Sequence, residues 1–164
     1  MFLKQLAVPL LQASSTQDTQ VNYTHATDSQ ALATKLLGKP YVSGARGPES
    51  FDCWGLVTYF YKEVFAVELP LYPNEDPFNV KRVSGLLEKG AHSSDWVEIK
   101  KPEHGCVVAM SRSKVFHHVG IWLEIDDGLC LHAYDGMQVM AHTIQQLKWQ
   151  NISKIAFFKH GKSI

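Results

Sequence analysis

The chain has 164 residues, 45% of them hydrophobic and 20% charged, with 16 basic and 16 acidic side chains. Enough apolar material is present for one globular domain that needs no disulfide staples, and a formal charge of zero with a pI near 7.1 excludes a broad positive field for nucleic acid. No apolar run reaches the ~18 residues of a membrane helix, so stable membrane insertion is not expected. Met1 to Ala13 carries one lysine and a short apolar run broken by Gln5 and Pro9, which is a poor export signal.

Residues 1–27 form a polar arm or linker, because Ala13 to Thr27 is rich in Ser, Thr, Gln and Asn. The domain is expected over 28–164. Asp28 can cap a helix with Ala31, Leu32, Leu36 and Leu37 at helical spacing, stopped by Gly38 and Pro40. Lys39 to Ser50 reads as loop. Asp52 is a good N-cap, and Trp54, Leu56, Val57, Phe60, Tyr61 and Val64 recur at helical intervals, so a second helix should run to about Phe65. A Pro-rich connector, Leu69 to Pro77, leads to a short helix expected over Asn79–Lys89.

From there the period changes. Trp96–Ile99, Cys106–Met110, His118–Leu123, Leu129–Tyr134, Gln138–His142 and Ile155–Phe158 are short stretches of branched and aromatic residues separated by turn residues. Helices followed by closely spaced strands predict an α+β domain, with the helices packed on one face of an antiparallel sheet of five or six strands.

Three cysteines, Cys53, Cys106 and Cys130, leave at least one free thiol. Cys53 sits at the start of the second helix, where unpaired N–H groups and the positive end of the helix dipole stabilise a thiolate and should lower its pKa from ~8.5. The competing reading is a small buried hydrophobe. A thiol nucleophile needs a base and a group that orients the base, and His118 and His132 lie on consecutive strands. A hairpin symmetric about Ile125 sets these two histidines directly opposite each other on one face; a turn centred further on slides them apart. His104, His117 and His142 read as partly buried strand residues with satisfied rings. His104, Cys106, His117, Cys130 and His132 could together hold a metal, but none shows clean zinc spacing, so neither metal nor cofactor is expected. Trp122 shares the parity of His118 and could wall a cleft.

Phe51-Asp52-Cys53-Trp54-Gly55-Leu56-Val57 resembles the nucleophile motif of the NlpC-type cell-wall cysteine peptidases. His118-Val119-Gly120-Ile121-Trp122-Leu123 is similar to their His-Val-Gly-Ile-Tyr motif, Leu131-His132-Ala133 to the segment of the third triad member, and Pro40-Tyr41-Val42-Ser43-Gly44 to the loop whose tyrosine lies beside the nucleophile. The four motifs occur in the family's order between Asp28 and Phe158. Trp54 stands in the place of Ser, in the style of the phage tail-assembly branch, Ala45 replaces the second glycine of the tyrosine loop, and Cys106 stands where the family usually has Asp.

The resemblance implies a papain-like α+β fold, Cys53 as nucleophile, His118 as general base and acid, and His132 as its orienting partner. Tyr41 is implied to contact substrate or support the triad; Asp52 and Trp54 of the nucleophile motif, and Trp122 by its parity with His118, are candidates for the same roles. The implied substrate is the peptide stem of peptidoglycan, between D-glutamate and the diamino acid. Tail or secretion-apparatus proteins are candidate partners, with action in the periplasm, the cell wall or a virion tail. Two other outcomes of the same sequence are a non-catalytic part of a tail tip or injection machine, and acyl transfer on the same scaffold.

Overall fold

The structure, a computed structural model, describes residues 28–71 and 96–161. The polar arm, most of the Pro-rich connector and the helix expected over Asn79–Lys89 lie outside the described residues. Helical residues 28–36 (α1) end at Gly38, whose φ of 81° is the left-handed geometry that closes a helix. Of the expected stripe of α1, Leu36 is buried and Leu32 packs half-buried on the core, whereas Ala31 and Leu37 are exposed and Ser29 and Ala33 complete the buried face.

Helix α2 (Cys53–Phe65) starts and stops where its chemistry requires. The Asp52 carboxylate accepts the Gly55 N–H at the amino end, and Ala66, at φ 53°, turns the chain out at the other. Asp52 also ties the preceding loop to the helix. Its carboxylate accepts from Gly44 N–H at 3.1 Å and pairs with Arg46, while its own N–H donates to Ala45 O at 3.0 Å. Gly55 is required by this clamp, because a Cβ there would fall 2.1 Å from the Ala45 carbonyl oxygen.

Six strands form one sheet: β1 (Trp96–Ile99), β2 (Val107–Ser111), β3 (His118–Leu123), β4 (Leu129–Ala133), β5 (Val139–His142) and β6 (Lys154–His160). Their order is β1-β6-β2-β3-β4-β5, antiparallel throughout. The strands match the sequence expectation to within two residues at each end. One element was not anticipated: helix α3 (Ile144–Trp149) lies between β5 and β6 and carries a Thr143–Gln146 capping box.

The two sheet faces bury different clusters. Leu56, Val57, Phe60 and Tyr61 of α2 pack with Val107, Ala109, Val119, Ile121, Leu123, Leu131 and Ala133. The other face holds Cys106, Val108, Met110, Trp122 and Cys130 under Leu147 of α3 and Ile152. Helices therefore cover both faces, not one, because Leu147 gives the second face its own cover.

The β3–β4 hairpin pairs Ile121 with Leu131, Trp122 with Cys130 and Leu123 with Leu129, and is thus symmetric about Asp126, at φ 52°, rather than Ile125. The two histidines are diagonal neighbours instead of directly opposite. The displacement is two residues, an even number, so both remain on one face.

Candidate active site

Cys53 is the first residue of α2 and is partly buried against the α2 cluster. The backbone N–H groups of Val119, the residue after His118, of Trp54 and of Cys53 itself favour its thiolate. The β3–β4 ladder begins only at Ile121, whereas β2 pairs with β3 as far as His118, so the amino end of α2 meets β3 where the sheet has opened on its β4 side. The thiol is nonetheless not acidified as expected. Burial and then the Asp52 charge push it up to about 11, and the three N–H groups offset this only in part. At rest the sulfur carries its proton.

His118 and His132 are brought together. Nε2 of His118 lies 2.9 Å from Nδ1 of His132, with ring centroids 5.0 Å apart and edge-on. Their rings alternate with Val119 and Leu131, which face α2, and so share the side of Trp122. Gly120 makes the diagonal possible, since a Cβ there would come within 2.9 Å of His132 Cβ and 2.7 Å of Cys130 Sγ. Tyr134 stacks edge-on against His118 at 5.1 Å, and Arg112 lies 5.3 Å over the Tyr134 ring. His118 is held well below its usual pKa, first by burial and then by the positive fields of His132, His117 and Arg112. Among the described residues its Nδ1 makes no hydrogen bond, so this is the ring nitrogen open to a proton.

The row continues past His132. Nε2 of His132 is 2.8 Å from Nδ1 of His142, and Nε2 of His142 is 3.0 Å from the side-chain amide of Gln150, the C-cap of α3. Burial pushes His132 down to about 3 and His142 in the same direction. By sequence His142 reads as a satisfied strand ring, and Gln150 is not a candidate. A signal for His142 was present: in the β4–β5 hairpin His132 pairs with Met140, so His142 is its diagonal neighbour by the same even offset. Gln150 had no such signal, because its place depends on the unanticipated α3.

The remaining candidates divide. Tyr41 lies within the electrostatic reach of Cys53, and burial followed by the Cys53, Asp135 and Asp52 charges raises its phenol pKa. Trp54 packs on the core and donates its indole N–H to Pro70 O at 3.0 Å, fastening the segment after α2. Trp122, at 6% exposure and edge-on to Phe157 at 6.3 Å, packs in the second core on the face that carries His118 and His132. Cys106 and Cys130 are buried in that core, and burial pushes both thiols up, Cys106 to about 12. His104 is held 2.9 Å from Ser29 Oγ and accepts from Glu124 N–H at 3.2 Å. Among the described residues no group of three His, Cys, Asp or Glu is disposed to hold a metal ion.

The NlpC/P60 family profile matches residues 38–156, a span that contains Cys53, His118, His132, His142 and Gln150. A probable endopeptidase p60 of Listeria grayi is 43% identical over 58 residues, which are 31% of this chain and 11% of that protein, so the chain spans a small part of this relative's length. Among solved structures, the NlpC/p60 domain of the peptidoglycan hydrolase SagA has a TM-score of 0.52 at 22% identity, covering 80% of this chain and 97% of its own. NlpC2 of Trichomonas vaginalis has a TM-score of 0.54 at 17% identity, covering 83% of this chain and 46% of its own. Both show a shared fold.

Proposed function

Since the chain belongs to the NlpC/P60 family, we propose that it is a cysteine peptidase cleaving amide bonds in the peptide stems of peptidoglycan. The observation that carries this reading is the meeting of the α2 start with β3: Cys53 packs on the cluster that contains Val119, whose N–H favours its thiolate, and the next residue back in the chain is His118, whose Nε2 is held by His132. The family resemblance of the Listeria protein and of the SagA domain supports the substrate class.

Cys53 is the nucleophile, His118 the base and then the acid, and His132 the group that orients it. Burial holds the thiol and the His118 ring toward their neutral forms, so attack on the substrate carries the proton from Sγ to Nδ1 of His118. The thiolate adds to the amide carbonyl and forms a tetrahedral oxyanion. The N–H groups at the start of α2 serve as its donors. His118 gives its proton to the leaving amine, then activates the water that hydrolyses the thioester. Tyr41 and Asp52 support the site from the loop side.

The bond between D-glutamate and the diamino acid is the family-based choice of scissile amide. The Trp54 variant of the nucleophile motif favours a setting in a phage tail or a contractile delivery apparatus, with action in the periplasm or wall.

Digestion of purified peptidoglycan by the protein and by Cys53→Ala, with mass analysis of the fragments, tests the proposal. Cleaved stems are expected from the unaltered protein alone. Equal cleavage by both removes Cys53 from the mechanism; cleavage by neither favours a structural tail component. Transfer of the stem to an added amine in place of hydrolysis identifies an acyltransferase.

A further inference from the structure

Three imidazoles and one amide lie in a single hydrogen-bonded row: His118 on β3, His132 on β4, His142 at the end of β5, and Gln150 at the C-cap of α3. Each ring is held toward its neutral form by burial. A neutral imidazole has one N–H and one lone pair, and each contact between two rings needs one of each. One choice therefore dictates the rest. Either all three rings carry hydrogen on Nε2, or all three carry it on Nδ1; a mixed row sets N–H against N–H or lone pair against lone pair in a buried place.

The end group makes the choice. If the Gln150 carbonyl faces His142, it accepts Nε2–H of His142, and the order propagates through His132 to leave a lone pair on Nδ1 of His118. If the Gln150 NH2 faces His142, every ring turns over and Nδ1 of His118 is capped by hydrogen. The two arrangements differ by a half turn of the amide, which keeps the same shape. In the structure the amide nitrogen is the atom set 3.0 Å from His142 Nε2.

We propose that His142 and Gln150 are positioning residues of this site: acting through His132, the Gln150 amide decides whether Nδ1 of His118 is a base, and the working protein turns the Gln150 carbonyl toward His142. This rests on His118 being the base of the proposed reaction. The row also gives the proton a place to go. The Sγ proton binds Nδ1 of His118, the Nε2 proton of His118 passes to Nδ1 of His132, and that of His132 passes to Nδ1 of His142. One proton has entered, none has left, and the positive charge rests on His142. That ring is only partly buried, faces the Gln150 carbonyl, and is removed from the Arg112 and His117 charges that disfavour a cation on His118. The reverse sequence returns a proton to Nε2 of His118, and the ring, again an imidazolium, gives its Nδ1 proton to the leaving amine.

The test is the tautomer of each ring, read from long-range proton–nitrogen correlations of the full chain, with no substrate present. Nε2–H rings are expected at positions 118, 132 and 142 in the unaltered protein and in Gln150→Glu, whose carboxylate only accepts. Gln150→Lys only donates, so it should turn all three rings to Nδ1–H and lower kcat roughly 10²-fold with KM little changed, the scale of a lost general base. In a His142→Leu background the two substitutions should no longer differ in their effect on His118. Nδ1–H rings in the unaltered protein, or a His118 tautomer indifferent to Glu or Lys at position 150, overturns the inference. Correct tautomers in a protein that leaves peptidoglycan intact reject the substrate assignment while upholding the row.

Discussion

A thiol at the first residue of a helix ordinarily gains acidity from the helix end, yet Cys53 moves the other way, because desolvation and the neighbouring Asp52 charge outweigh three N–H groups. The location was legible in the sequence, since Asp52 and the apolar stripe after it mark the helix start. Desolvation depends on what packs over the residue and could not be read there. The consequence is measurable: alkylation of free Cys53 by iodoacetamide should keep rising with pH through 9, toward its pKa of about 11. A plateau reached near pH 7 would mean a thiolate–imidazolium pair already formed at rest. Gly120 is the second residue on which the geometry turns. Gly120→Ala forces its Cβ against His132 and Cys130, and overpacking of this kind costs about 1–3 kcal/mol, so a matching loss of stability is expected with a disturbed His118–His132 contact. A variant with unchanged denaturation midpoint and unchanged His132 resonances would show that the strands have room to part.

At the scale of elements, α2 and the six strands follow from capping and alternation, while α3 and the hairpin centre do not. The β3–β4 turn contains Ile125, Asp126, Asp127 and Gly128, and either of the first two can sit at the centre; the left-handed φ of Asp126 and of Gly128 decides it. The even offset was enough to keep both histidines on one face, but only the actual register makes them diagonal and brings His142 into line. The missed α3 had a readable mark, the Thr143-x-x-Gln146 capping box, in a segment too short for a convincing apolar period. Asp52 tests how far a cap can organise a site. Its carboxylate holds Gly55 N–H, Gly44 N–H and Arg46 together. Asp52→Ala should therefore exceed the usual ~1 kcal/mol of a lost cap, reaching about 2 kcal/mol in urea denaturation, and lower activity as the Tyr41 loop loosens. Full activity with a loss well under that of an ordinary cap would show that the loop is held by its backbone contacts.

For the whole molecule, three neutral histidines in one row link folding to pH. Unfolded, each takes up a proton near pH 6.5; folded, each resists it. The unfolded chain therefore binds more protons below 6.5, and stability present above that pH is lost as pH falls, continuing toward about 3 for His132. Thermal midpoints should drop on acidification from pH 7 to 4, and His132→Gln should flatten that slope even where it lowers stability at pH 7. An acid slope unchanged by His132→Gln would place the sensitivity elsewhere. The two faces of the sheet carry different parts: one cluster seats α2 with Cys53, and the second, under α3, lies on the face that carries the imidazole row.

As the nucleophile, the Cys53 sulfur becomes covalently bonded to the acyl half of a cleaved stem peptide. Rapid acid quenching during turnover of a stem peptide, followed by proteolysis and mass analysis of the protein, measures this directly. A mass increase equal to the acyl fragment is expected on the peptide that contains Cys53. Cleavage with no such adduct on Cys53 and with the increment on Cys106 or Cys130 instead would contradict it.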